Sequence, residues 1–271
     1  MIPSFGSTTL RVLALLSVAT TAWLAGCAAQ PATDAAPTEW QTASDETDAR
    51  RRARTRLALA TGYYENGQFA VALDEQKKAV QADPTLSESF DLGGLIYMAL
   101  GDAALAQSNF ERAIALNSRA ANAMHNLGWL HCQGGRYAEA AAQFQRALAV
   151  PTYQGQAKTL MTQGICEARA GQLAQAEATL MRSYELDAGN PVTGFNLALL
   201  LYKRGDFGRA QFYARRLNNS ELANAESLWL GIRIERRLND RRAMEQLASQ
   251  LRRRFPQSRE LVDYERGSFD D

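Results

Sequence analysis

The stretch from Ala120 to Leu148 reads AANAMHNLGWLHCQGGRYAEAAAQFQRAL. Met124, Leu127, Trp129 and Leu130 recur at helical spacing, so the first part reads as a helix over about 120–133. Gly134 and Gly135 then stop it, because glycine alone takes the left-handed turn at a helix end without a steric cost. A second helix follows over about 137–148, with Ala140, Ala141, Phe144 and Ala147 on one stripe. A hairpin of two such helices cannot cover both its apolar faces. It needs a neighbour of the same kind on either side.

The rest of the chain supplies those neighbours. Gly67, Gly101, Gly135, Gly171, Gly205 and Asn239 are separated by 34, 34, 36, 34 and 34 residues, a period that marks stacked helix-turn-helix units. Five residues after each turn stand Ala72, Ala106, Ala140, Ala176, Ala210 and then Met244. Seven residues before it stand Ala60, Gly94, Gly128, Gly164, Ala198 and then Ile232. Small side chains at both places let two helices approach closely. The agreement is strongest in the first three units, loosens afterwards, and is interrupted by a two-residue insertion between the third and the fourth.

These positions resemble the tetratricopeptide repeat, which expects Leu-Gly at positions 7 and 8, an aromatic near 11, Gly at 15, Ala at 20, an aromatic at 24, Ala at 27 and Pro at 32. The first unit matches with Leu59, Ala60, Tyr63, Gly67, Ala72, Ala79 and Pro84, and the second with Gly94, Tyr97, Gly101, Ala106, Phe110 and Ala113. The third matches with Leu127, Gly128, Gly135, Ala140, Phe144 and Ala147, with His131 in the aromatic place; Pro256 closes the sixth. The expected fold is all-α: a tetratricopeptide solenoid of about six repeats in a right-handed superhelix. The repeats should span 50–258, and the arginine-rich last unit with a tail over 259–271 should form a polar cap.

The N-terminus carries an address. Arg11 is the one charge in the first 33 residues, and the apolar run from Val12 to Ala25 suits a signal peptide over 1–26 better than a membrane span. It ends in Leu24-Ala25-Gly26-Cys27, which looks like the lipobox of bacterial lipoproteins. That resemblance implies a mature chain beginning at a lipid-modified Cys27, held by two or three acyl chains at the periplasmic face of the outer membrane, since Ala28 is not the aspartate that retains lipoproteins in the inner membrane. An ordinary secretory signal is the alternative. Residues 27–49, rich in Ala, Thr, Pro and Asp, read as a flexible tether with a reach of about 25 Å.

Charge excludes some partners. Setting aside residues 1–26, whose one charge is Arg11, leaves 29 basic and 29 acidic side chains. Neither nucleic acid nor a bulk anionic surface is demanded by that balance, and an exported protein does not meet nucleic acid. Arginines cluster at Arg50 to Arg56 and at Arg233 to Arg254, readable as solvated end caps or as contacts to anionic head groups or an acidic segment. With Cys27 lipidated, Cys132 and Cys166 remain as an even pair in an oxidising compartment. They sit on neighbouring first helices, at positions whose directions face each other, and a disulfide between them is expected; two buried thiols are the alternative. The histidines His125 and His131 lie on different faces of one helix without a carboxylate at metal-ligand spacing, so neither metal, cofactor nor enzymatic activity is expected.

A protein partner is expected instead. In tetratricopeptide arrays, positions 2, 5, 9 and 12 of each first helix line the concave face, here including Leu57, Thr61, Tyr64, Asp91, Leu95, Met98, His125, Trp129, Met161, Ile165, Phe195, Leu199, Tyr202 and Trp229. This apolar, aromatic trough suits the hydrophobic anchors of a peptide, although part of it could pack between repeats. Lipobox, tether, six repeats and the cysteine pair together resemble the type IV pilus biogenesis lipoproteins, the pilotins of the PilF/PilW family. The resemblance implies a monomeric, non-enzymatic chaperone that takes secretin subunits to the outer membrane and promotes their multimerisation, with Leu57, Tyr64, Leu95, Met98 and Trp129 nearest the client. Another outer-membrane adaptor, for β-barrel assembly or peptidoglycan enzymes, is the alternative.

Overall fold

The computed structural model describes residues 46–269. The leader over 1–26, Cys27, most of the tether and residues 270–271 lie outside them. Among the described residues there are thirteen helices, α1 to α13: Asp48–Glu65, Phe69–Ala82, Ser87–Ala99, Ala103–Leu116, Ala121–Gln133, Tyr137–Leu148, Gln156–Arg169, Leu173–Leu186, Pro191–Lys203, Phe207–Asn218, Ala225–Arg237, Arg241–Arg254 and Arg259–Arg266. The first twelve form six hairpins, each packed on the next, in a tetratricopeptide solenoid.

The six turns are one backbone motif repeated. Gly67, Gly101, Gly135, Gly171 and Gly205 have φ between 72° and 83°, and Asn239 takes the same left-handed conformation at 59°. Each turn closes with a 6→1 hydrogen bond, as from the Gln68 N–H to the Tyr63 carbonyl at 2.8 Å and from the Asp240 N–H to the Glu235 carbonyl at 3.0 Å. Asparagine tolerates this region better than other side chains, which is why the sixth turn survives without glycine.

From the second hairpin onward, position 8 of the first helix meets position 24 of the second. A Cβ on Gly94 would run into the ring of Phe110, one on Gly128 would lie 2.8 Å from the ring of Phe144, and one on Gly164 would lie 2.6 Å from Leu180 Cγ. Phe110 and Phe144 are consequently fully buried. In the later repeats the same contact joins Ala198 with Ala214 and Ile232 with Ala248. In the sixth repeat the bulk has passed from the second helix to the first, whereas in the fifth both partners are small.

The structure corrects the expected boundaries at both ends. Asp48 and Ala49 belong to α1 rather than to the tether, because the Thr47 hydroxyl accepts from the Arg50 N–H and starts the helix there. The tail is not merely a polar cap: α13 buries Leu261 against Leu228, Ile232, Leu247 and Leu251, and the Phe269 ring stacks on Trp229 at 5.3 Å. The arginine clusters are largely spent within the chain. Arg50 pairs with Asp83 at 2.7 Å and Arg56 with Glu75 at 2.9 Å. Arg236 lies over Phe269 at 4.2 Å and Arg252 over Tyr264 at 5.2 Å.

Candidate partner-binding groove

The residues expected to form a trough lie on the first helices of the hairpins, α1, α3, α5, α7 and α9. Leu57, Tyr64, Leu95, Met98, Trp129, Met161, Ile165, Phe195 and Tyr202 are all half-buried. Each therefore gives part of its surface to the solenoid and keeps part outside. Leu57 and Tyr64 pack with Phe69 and Leu73 around Ala60, Leu92 and Ile96, with the Tyr64 and Phe69 rings 5.7 Å apart. Leu95 and Met98 lean on Phe110, Leu127 and Leu130. Ile165, Phe195 and Tyr202 lean on Leu180, Leu197, Leu201 and Tyr213.

Trp129 marks the middle of the row. It packs on the Cys132–Cys166 disulfide, whose Cα atoms are 5.8 Å apart, and the Arg169 guanidinium lies 4.9 Å from its ring centre. The disulfide joins α5 to α7 and so fixes the spacing of the third and fourth repeats beneath that side chain.

Three residues behave otherwise than a trough requires. Trp229 is buried, covered by Phe269, and does not belong to an exposed row. His125 is buried and its Nδ1 lies 2.9 Å from Thr159 Oγ1, which in turn lies 2.8 Å from the Tyr153 hydroxyl. Burial, with Lys158 nearby, lowers the His125 pKa to about 4, so the ring is neutral and serves as a packing and hydrogen-bonding group. Asp91 is half-buried and accepts from Asn126 Nδ2 at 2.9 Å. Desolvation raises its pKa to about 6 against the opposing effects of the Asn126 hydrogen bond and Lys158.

The loop after α6, which holds the two-residue insertion, contributes a residue that repeat spacing did not single out. Val150 and Tyr153 fold back onto Ala121, Met124 and Ala147, and Tyr153 reaches Thr159 beside His125. A large aromatic between Pro151 and Gly155 was the available signal, since exposed loops rarely carry one without a place to bury it.

Among the described residues no group of three or more His, Cys, Asp or Glu side chains is arranged to hold a metal ion. What the row presents is apolar and aromatic surface.

Comparisons with known proteins agree with this geometry. A tetratricopeptide-repeat family model matches residues 92–157. The chain is 26% identical over 209 residues to the type IV pilus assembly protein PilF of Pseudomonas aeruginosa, covering 77% of this chain and 83% of that protein. The crystal structure of PilW, described as a widely conserved type IV pilus biogenesis factor, superposes with a TM-score of 0.72 at 30% identity, covering 78% of this chain and 97% of that one. The Pseudomonas aeruginosa PilF structure has the same fold, with a TM-score of 0.72 at 24% identity over 82% of this chain and all of that one. Tetratricopeptide proteins bind protein partners, and the half-buried row from Leu57 to Tyr202 has the chemistry for that. With matching repeats, matching length and this level of identity, the chain belongs to the PilF/PilW family of tetratricopeptide-repeat type IV pilus biogenesis proteins.

Proposed function

We propose that this protein is a non-enzymatic pilotin: an outer-membrane lipoprotein, anchored through Cys27, that binds secretin subunits and promotes their multimerisation during type IV pilus biogenesis. The observation that carries the reading is the row of half-buried apolar and aromatic side chains along the first helices, on a scaffold of the PilF/PilW family. Side chains in that condition are already ordered by their buried portion, so a partner's apolar anchors dock against them at low entropic cost. Trp129 is the centre of the proposed surface, being large, held by the disulfide beneath it and by Arg169 beside it.

The lipobox Leu24 to Cys27 supports the address, and the tether would let the solenoid reach its client away from the lipid surface. The test is affinity capture of secretin by the lipidated protein, alongside Cys27→Ala and Trp129→Ala. Cys27→Ala should leave the solenoid folded but strand secretin as monomers in the inner membrane. Trp129→Ala should weaken capture about tenfold or more, as truncation of a central aromatic anchor does. Normal secretin multimers in the Cys27→Ala strain would overturn the reading.

A further inference from the structure

Trp229, Arg233 and Arg236 stand at positions 5, 9 and 12 of α11. In earlier repeats those places hold the half-buried row, as with Leu57 and Tyr64 in the first and Phe195 and Tyr202 in the fifth. By register, then, α11 carries the last stretch of the same face. Yet Trp229 is only 6% exposed, and what covers it is the chain's own C-terminal end.

The backbone delivers that cover. α13 ends at Arg266, Gly267 takes the left-handed conformation at φ 70°, and the Phe269 ring comes to lie on Trp229, with 5.3 Å between ring centres and 26° between planes. The Arg236 guanidinium lies 4.2 Å from the centre of the Phe269 ring, and the Tyr264 ring meets it at 89° and 6.0 Å. Beside them the Arg233 guanidinium lies 5.7 Å from the Trp229 ring and 5.3 Å from the Tyr202 ring. An aromatic side chain is thus held by an indole and a guanidinium that both occupy groove positions, which is how a partner's aromatic anchor is held. The Ser268 and Phe269 amides donate to the carbonyls of Asp263 and Gly267, at 2.9 and 3.1 Å, so neither is spent on α11. Phe269 is followed in sequence by Asp270 and Asp271, and α11 brings Arg233, Arg236 and Arg237 to its end. An aromatic and acidic segment therefore matches an aromatic and basic surface.

We propose that the α11 end of the solenoid is a docking site for an aromatic side chain followed by carboxylates in a segment of a protein partner, a site that Phe269 occupies in the free protein. The ring already seated there shows that the space admits one. A partner segment enters by displacing the tail, so it has to offer the same groups on better terms than the tail does. The proposal does not depend on the client being a secretin, because its template is the chain's own end.

The test is titration of the full chain, and of a chain ending at Gly267, with an acetylated peptide that has the sequence of residues 267–271, read by amide and indole chemical shifts. The shortened protein should show saturable shifts at Trp229, Arg233 and Arg236. The full chain should bind the peptide about tenfold or more weakly, because its tethered tail competes at a high effective concentration. A peptide carrying Phe269→Ala should bind the shortened protein about tenfold more weakly. One carrying Asp270→Asn and Asp271→Asn should also bind less tightly, by a margin that added salt narrows. Should the shortened protein misfold, the full-length Phe269→Ala variant serves as the vacated form and should give the same shifts. Absence of saturable shifts in both vacated forms, equal affinity in vacated and unaltered protein, or affinity indifferent to either change in the peptide overturns the proposal.

Discussion

In the second repeat Gly94 lies against the ring of Phe110, and in the sixth the corresponding pair is Ile232 and Ala248. The front repeats put their bulk on the second helix and clear room for it with glycine, whereas the last repeat puts its bulk on the first helix. The ends are finished differently as well. The front relies on ion pairs such as Arg50 with Asp83, and the rear lays arginines over Phe269 and Tyr264. The lesson is that a repeat keeps a contact rather than particular residues: between the second and the sixth repeat the bulk at positions 8 and 24 changes owner, and the fifth makes the same meeting with two alanines.

The sharpest way to break that comparison is to truncate the same position in both halves. Phe110→Ala should destabilise the fold by about 4 kcal/mol, because a fully buried ring leaves a cavity that Gly94 cannot fill. Ala214→Gly, at the equivalent place in repeat five, should cost only about 1 kcal/mol, mainly helix propensity. Denaturant unfolding of both variants checks this, and equal losses would mean that the halves do not divide their volume as described.

Next in size is the staple between the two halves. Cys132 and Cys166 are 34 residues apart, so opening their disulfide should lower stability by about 4 kcal/mol at most in the chain-entropy description, less if the reduced chain retains structure. Unfolding of the Cys132→Ala, Cys166→Ala double variant measures it. A loss felt equally by front and rear repeats would show that the solenoid unfolds as one unit; a loss confined to repeats three and four would show that its cooperativity is local.

A smaller effect tests the rear cap alone. Phe269→Ala removes the stack on Trp229 and the contact with Arg236, worth about 1–2 kcal/mol together. Hydrogen exchange should rise in α11 and α13 and stay unchanged in α1 to α4.

The smallest effect is a dependence on pH at the front. Asp91 has its pKa raised to about 6 by desolvation, above its ordinary value of 3.8, with Glu88 adding to the rise and Asn126 and Lys158 opposing it. A carboxyl whose folded pKa is raised binds more protons in the folded state, so its contribution to stability is greatest at low pH and is lost as pH rises through about 6. Asp91→Asn should therefore stabilise the protein by about 1 kcal/mol at neutral pH, allowing for partial solvent screening, and flatten the slope between about pH 4 and 6. An unchanged melting profile in that variant would contradict the assignment.

The placement of the row was legible in the chain, since repeat spacing puts Leu57, Leu95, Trp129 and Phe195 on corresponding helices and the structure finds each half-buried. Trp229 was not, because only the folded tail brings Phe269 over it. His125 likewise looked available until the inserted loop was seen to deliver Tyr153 to the same threonine. Spacing alone says which helix face a residue occupies; it says nothing of a later segment that folds back to cover it.

The amino-acid order by itself determined the hairpins, their number and their turns, for a left-handed residue every 34 or, once, 36 positions and apolar stripes between them are features of each unit's own sequence. Only the tertiary structure decided that Glu235 meets the Arg215 guanidinium while Glu167 meets glutamines, which tryptophan is covered, and how Ile232 and Ala248 replace glycine and phenylalanine. Those outcomes depend on side chains from neighbouring repeats meeting in space, and such meetings are set by the stacking of whole hairpins rather than by any local preference of the chain.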